Sequence, residues 1–232
     1  MDMIKKVRIL RVEGGVRSEI EDAVATEHKL AVYVNGSFKT ELTCSPENLP
    51  ELVLGNLLST GMIGKLADVR ELIVDEGGET ARVETVCDCV RPYPAADALR
   101  VSSARILSAM ERFMRESAVF FATGAVHSCA LLVGGQLLHF TEDIGRHNAF
   151  DKTIGAALRH EIPLEQSVVL TSGRLPKDMV EKAVYSRVQA VVSRSAPTDS
   201  AIELALANDM TLCGFARGDR LNIYTGMHRI LF

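Results

Sequence analysis

Hydrophobic and polar positions change rhythm near the middle of the chain. In the first hundred residues the apolar positions come in short alternating or continuous runs, KKVRILRVEGG and HKLAVYVNGSFKTELT. Such runs fit half-buried strands. Asn35-Gly36 inside the second is a tight-hairpin signal, because both residues tolerate positive φ. SPENLPELVLGNLLSTGMI reads instead as a helix, with Ser45 as its cap, Pro46 in the first turn and Gly61 at its end. VRELIVDEGGETARVETV returns to the strand pattern and turns at Gly77-Gly78. CDCVRPYPAADAL has two prolines and no periodicity, so it reads as a loop between two parts. Residues 1–101 then form a β-rich portion with one helix and this cysteine loop, and residues 102–232 a second domain.

From Ser102 the pattern becomes helical and then mixed. SSARILSAMERFMRES spaces its apolar residues for a helix. The strand-like runs AVHSCALLV, GQLLHF, SVVLTS, AVVSRS, TLCGFARG and LNIYT follow, interleaved with a helix from Asn148, KDMVEKAVYSRV and DSAIELALAND. This alternation predicts an α/β fold, a parallel sheet with helices on its faces. Right-handed crossovers then bring the turns after the strands to one sheet edge. Ligands of α/β folds bind at such edges.

Those turns are chemically rich. HFTEDIGRHN, LTSGRLPKD, VSRSAPTD and GFARGDR would bring Asp143, Arg146, His147, Ser172, Gly173, Arg174, Ser195, Thr198 and Arg217 together, with Arg194 and Arg220 beside them. Arginine's planar fork suits phosphate, and helix N-termini add backbone donors. Gly173 permits close backbone approach. Five arginines at strand ends, in a chain of net charge −4, point to a phosphorylated ligand bound locally. The competing reading is that each arginine is solvated or paired with a nearby carboxylate. Neither a P-loop nor a GxGxxG motif is present, which excludes the simple NTPase and Rossmann readings.

Composition narrows the class. An apolar content of 47% with 24% charged residues is that of an ordinary globular protein able to bury a core without staples. The acidic balance argues against nucleic acid as a partner. The absence of a long apolar run argues against a membrane span, and a cytoplasmic location is expected. Five cysteines, an odd number, do not fit a secreted disulfide framework. Cys87 and Cys89 form a CDC motif near Arg82 and Arg91, and neighbouring cations favour the reactive thiolate. Asp88 opposes them. Such a pair suits a persulfide carrier; a labile disulfide, two metal ligands or incidental loop cysteines are the alternatives. Zinc needs further ligands, so no metal site is expected. Cys129 and Cys213 sit in apolar runs and read as core; Cys44 is uninformative. His127 and His147 are candidates for acid–base work or for hydrogen bonding to a phosphate or carbonyl, and a structural role is an equal reading for His127. HxE and PCxxC are missing, which disfavours zinc-dependent deamination.

EDIGRHNAFDK, TGAVHSCALL, SGRLPKDMVEKA, SAPTDSAIELA and TLCGFARGDRLNIY, spanning Thr123 to Tyr224, together resemble the FdhD family of formate dehydrogenase accessory proteins. ELVLGNLLSTGMI adds a weaker block. The resemblance implies a cytidine-deaminase-like layered sheet without the zinc site, joined to the β-rich N-terminal portion. It implies a sulfurtransferase that takes persulfide sulfur from a cysteine desulfurase. The sulfur would pass to the bis-molybdopterin guanine dinucleotide destined for formate dehydrogenase. The family's cofactor-binding stretch matches Phe215, Ala216, Arg217, Gly218, Asp219 and Arg220. Its SGR and GRHN motifs match Ser172, Gly173, Arg174 and Gly145 to Asn148, which with Asp143, Arg146 and His147 complete the expected cofactor contacts. The family's CGxCG motif is replaced here by Cys87-Asp88-Cys89. Cys87 is the first choice for the persulfide and Cys89 the second. A homodimer is expected. The rival readings are a cofactor chaperone that binds guanine nucleotide without moving sulfur, and a nucleotide hydrolase or deaminase.

Overall fold

The computed structural model describes residues 2–86 and 99–232; Cys87, Cys89 and the rest of the CDCVRPYPAADA segment lie outside them. The chain opens with an antiparallel ribbon of β1 (Ile4–Glu13) and β2 (Val16–Ala25), turning at Gly14-Gly15, both at positive φ. The hydrophobic pattern gives no notice of β2. Its side chains, half of them exposed and none fully buried, present no buried face that would impose alternation. β3 (His28–Val34) and β4 (Ser37–Cys44) pair across Asn35-Gly36. After α1 (Leu49–Ser59), β5 (Val69–Val74) and β6 (Thr80–Thr85) complete a sheet ordered β4-β3-β6-β5.

The start of α1 departs from the sequence reading. Asn48 is the cap, at φ 54°, and Pro50 occupies the first turn. Ser45 does something else: its N–H donates to Asp143 Oδ2 (2.9 Å) and its hydroxyl accepts from the Ile144 N–H (3.2 Å). It ties the N-terminal portion to the edge of the larger sheet.

β7 (Val101–Ser102) leads into α2 (Ser103–Arg115), capped by the Ser102 hydroxyl. Then follow α3 (Ala118–Thr123), β8 (His127–Val133), β9 (Gln136–Asp143) and α4 (Arg146–Arg159). The remainder is β10 (Val168–Thr171), α5 (Lys177–Tyr185), β11 (Ala190–Ser193), α6 (Asp199–Ala207), β12 (Thr211–Arg217), β13 (Arg220–Thr225) and β14 (Ile230–Leu231). Six strands form one sheet ordered β13-β12-β11-β10-β8-β9. The sheet is mixed rather than parallel. β10, β11 and β12 run parallel, because helices carry the chain between them. β8–β9 and β12–β13 are antiparallel, because Gly134-Gly135 and Gly218-Asp219 leave room only for hairpin turns.

The strand period of two gives this sheet two apolar faces. Cys129, Leu131, Val169, Val191 and Leu212 point to one, where they join α1, α4, α5, α6 and the apolar side of the N-terminal sheet. Ala130, Leu132, Val168, Leu170, Val192 and Cys213 point to the other, against Ile106, Met110 and Phe113 of α2. Residues on both sides of position 101 therefore share the first core. Within it α1 and α4 meet backbone to backbone. A Cβ added to Gly55 would lie 1.8 Å from Asp151 O, and one added to Gly155 would lie 1.9 Å from Glu51 O. Asp151, 1% exposed, also accepts from Lys182 Nζ (2.7 Å), Ser59 Oγ (2.7 Å) and Asn56 Nδ2 (3.1 Å), which pins α1, α4 and α5 to one another.

Candidate functional site

β8 runs opposite to both of its neighbours, β9 and β10, so β9, β10, β11 and β12 share a direction. Their carboxyl ends and the start of β8 form one sheet edge. Along it lie Asp143, His127, Ser172, Arg194 and Arg217, in the order of the strands. The loops behind the edge are zipped together. Leu175 N–H donates to Ala196 O and Thr198 N–H to Leu175 O, both at 3.0 Å, while the Ser193 hydroxyl donates to Gly173 O (2.6 Å).

A cleft of about 410 Å³ opens here, lined by His127, Ser128, Ser172, Arg194, Ser195 and Arg217 on one side and by Phe120, Gly124 and Met114 on the other. A second lobe of about 340 Å³ adjoins it, walled mainly by Leu107, Met110, Phe121 and Ala216. Met114, Arg194 and Arg217 line both. One lobe is polar and the other largely apolar, and Arg217 stands where they meet. Its Nε donates to Arg194 O (2.8 Å), which fixes the stem and leaves the fork's other N–H groups for a ligand. Phe215, at φ +53°, forms a bulge in β12, and Arg220 stacks its guanidinium 4.7 Å from the Phe215 ring centroid. Ala216 is buried; Gly218 and Asp219 form the exposed turn.

Asp143 sits at the edge but faces inward. It is fully buried and accepts from Ser45 N–H (2.9 Å), Gly145 N–H (2.8 Å) and Asn148 Nδ2 (3.0 Å), and it pairs with the equally buried Lys152 Nζ at 2.7 Å. Both oxygens are taken, so it positions α4 rather than meeting a ligand. Arg146 and His147 form the first turn of α4, two residues earlier than the sequence predicts. Arg146 lays its stem over Gly173, where any Cβ would come within 3.0 Å of it, and its Nε is buried without a partner among the described residues. His147 Nε2 lies 3.0 Å from Asp178 Oδ2 at the start of α5. Arg174 is exposed beside them, and Thr198 is exposed at the start of α6.

His127 has its ring beside Ser172 Oγ, with Nδ1 3.5 Å away, and Ser172 Oγ also accepts from Ser128 N–H (3.0 Å). Burial lowers the His127 pKa below 6.5, and the positive charges of Arg146, His147 and Arg174 push it the same way. Burial also lowers the His147 pKa, with Arg146 and Lys182 adding to it against the pull of Asp178. Burial and the surrounding positive charge therefore favour the neutral imidazole at both positions.

The far wall is absent from the sequence reading. α3 hangs over the cleft because buried Glu142 accepts from the Val119 and Phe120 N–H groups, each at 3.0 Å. The carboxylate takes the helix's free first-turn donors. The one sequence signal was the Phe120-Phe121 doublet in a short segment flanked by Ser117 and Gly124; Phe121 stays 67% exposed.

Three of the five cysteines are described. Cys44, Cys129 and Cys213 are buried free thiols, each pushed up to about 12, chiefly by burial. None can offer a thiolate near neutral pH. Among the described residues no group of three or more His, Cys, Asp and Glu could hold a metal ion, and no helix is long and apolar enough to cross a membrane.

The FdhD/NarQ family model matches residues 25–92 and 86–231. The chain is 34% identical to the sulfur carrier protein FdhD of Listeria innocua over 260 aligned residues, covering 99% of this chain and 100% of the relative. It is 34% identical to protein FdhD of Methanocaldococcus jannaschii, covering 96% and 97% of the two chains. A crystal structure of a formate dehydrogenase accessory protein from Desulfotalea psychrophila superposes with a TM-score of 0.89 at 29% identity, covering 99% of this chain and 100% of that one.

Proposed function

The chain belongs to the FdhD/NarQ family, and from that premise we propose that it is a sulfurtransferase that carries persulfide sulfur from a cysteine desulfurase to the molybdenum cofactor of formate dehydrogenase. The observation that carries this reading is the full-length match to relatives named sulfur carrier protein FdhD. The thiol chemistry supports it by elimination. With Cys44, Cys129 and Cys213 locked as buried thiols, the sulfur falls to Cys87 or Cys89, the CDC pair that stands where the family has CGxCG. The Cys87 thiolate attacks the terminal sulfur of the donor persulfide, and the desulfurase thiolate leaves. Attack by Cys89 on the inner sulfur then forms a Cys87–Cys89 disulfide and expels hydrosulfide to the molybdenum. A cellular dithiol resets the pair.

The bis-molybdopterin guanine dinucleotide is the cargo, and it binds along the edge. Phosphates meet Arg217, Arg194 and Ser172 in the polar lobe, with Arg174 exposed farther along the edge, and ring systems suit the apolar lobe. The protein works in the cytoplasm, and formate dehydrogenase is its client. A homodimer is supported by the β1–β2 ribbon. Leu10 and Val12 are 59% and 63% exposed on one of its faces, and a two-stranded ribbon is marginal in water without a further surface to cover it.

The test is mass spectrometry after incubation with a cysteine desulfurase and free cysteine. The wild type gains one sulfur atom on Cys87 or Cys89; the Cys87→Ser, Cys89→Ser double variant gains none and fails to activate formate dehydrogenase. A double variant that still activates the enzyme transfers the assignment to a cofactor chaperone. That reading has its own support, since the arginine-lined cleft does not depend on the cysteines.

A further inference from the structure

We infer that His127 is a ligand-contacting hydrogen-bond donor in the cleft, with Ser172 as the hydroxyl that sets its tautomer, and that the group it receives is a phosphate oxygen. This rests on the nucleotide reading above and adds to it a residue and an atom.

The argument begins with the two edges of the imidazole. Nδ1 faces Ser172 and the Gly173 backbone: it lies 3.5 Å from Ser172 Oγ and 3.5 Å from where a Gly173 Cβ would stand. Nε2 is on the opposite edge of the ring and makes no hydrogen bond among the described residues. His127 lines the polar lobe together with Ser172, Arg194 and Arg217. A neutral imidazole has one donor and one acceptor nitrogen, and the partner of one fixes the role of the other. Ser172 Oγ already accepts from Ser128 N–H at 3.0 Å, which leaves its own proton and one lone pair. It can therefore give its proton to Nδ1 or receive one from it.

An anion in the cleft decides between the two. A bare Nε2 lone pair facing a phosphate oxygen is repulsive, whereas Nε2–H facing it is a hydrogen bond. Ser172 supplies the matching partner by donating to Nδ1. Burial and neighbouring positive charge keep the ring neutral, and the cations of the lobe itself, Arg194 and Arg217, stand where the phosphate needs them; Arg146 packs on the same side of Gly173 as His127. The serine thus adapts the histidine to an occupied site with no movement of the backbone.

Two substitutions separate this role from a structural one. Asn places an amide near the position of Nδ1, so His127→Asn keeps the contact with Ser172 but does not reach the cleft. Gln reaches the position of Nε2, so His127→Gln keeps a donor toward the ligand. Binding of guanosine diphosphate and of inorganic pyrophosphate to the full chain is measured by calorimetry, with thermal unfolding as the control for folding. We expect His127→Asn to bind both probes about tenfold more weakly, the scale of one hydrogen bond to a charged group. His127→Gln should stay within about threefold of the wild type. The inference is overturned if the Asn variant binds like the wild type, if both variants lose affinity equally, or if neither probe binds the wild type. If pyrophosphate alone binds and shows the Asn–Gln difference, the role of His127 stands while the guanine assignment of the cleft falls.

Discussion

Replacing Asp143 by alanine should cost more stability than any other single change at the sheet edge. The carboxylate is fully buried and answers four donors: two backbone N–H groups, the Asn148 amide and the Lys152 ammonium. Without it Lys152, 0% exposed, keeps, among the described residues, only the Ser45 carbonyl at 3.0 Å. Stranding one partner of a buried ion pair costs about 3–5 kcal/mol. Each orphaned buried N–H adds about 1–3 kcal/mol, though such terms overlap and do not sum. A loss of at least ~4 kcal/mol is expected, against a total of ~5–15 kcal/mol for a folded domain. The assay is urea unfolding, with midpoints compared at constant slope. The double variant Asp143→Leu, Lys152→Met removes both charges and should recover more than half of the loss, because the burial cost of the ammonium goes with it. A single variant that loses less than about 1 kcal/mol, or a double variant no better than the single, refutes the account. The same experiment speaks to the site, since Asp143 anchors the loop that aims Arg146 and His147.

Three further outcomes follow from the geometry. Arg174→Ala and Arg217→Ala should each weaken guanosine diphosphate binding by about 1.5–3 kcal/mol with little change in folding; unchanged calorimetric affinity in both would remove the phosphate clamp. Burial holds the pKa values of His127, His139 and His147 below 6.5, with the stacked His160 adding to the effect at His139. The unfolded chain therefore takes up protons first: stability is complete above about pH 6.5, falls as pH drops toward the lowered native values, and levels off below them. Urea midpoints that stay flat through that window in the wild type, or that fall as steeply in a His127→Gln, His139→Asn variant, would contradict this. Gly55→Ala forces a methyl group into the Asp151 carbonyl and should destabilise by about 3 kcal/mol or more; a melting temperature within a degree or two of the wild type rules out the close helix contact.

The sheet edge was readable because strand runs and polar turns obey local rules. The turns carrying Ser172, Arg194 and Arg217 follow strands that share a direction, and handedness alone gathers them. What could not be read depended on contacts across the chain. In sequence Asp143 reads as a cofactor contact; only the fold makes it the partner of Lys152 in a dry interior. Ser45 has the look of a helix cap, but its hydrogen bonds go to the Asp143–Ile144 corner instead. α3 was unseen because six residues carry too little periodicity, and its support, Glu142, comes from another strand. The placement of Cys87 and Cys89 remains a reading of sequence, since both lie outside the described residues.

The crossing of α1 and α4 constrains how this protein can diverge. Gly55 abuts the Asp151 peptide and Gly155 abuts the Glu51 peptide, so each glycine is held by the other helix's main chain. No single replacement at either position finds room, and there is no partner side chain to shrink in compensation. The two positions are therefore inherited as one character. Descendants of this chain are free to rewrite the loops at the sheet edge, and with them the choice of ligand, while the helix pair behind those loops stays fixed.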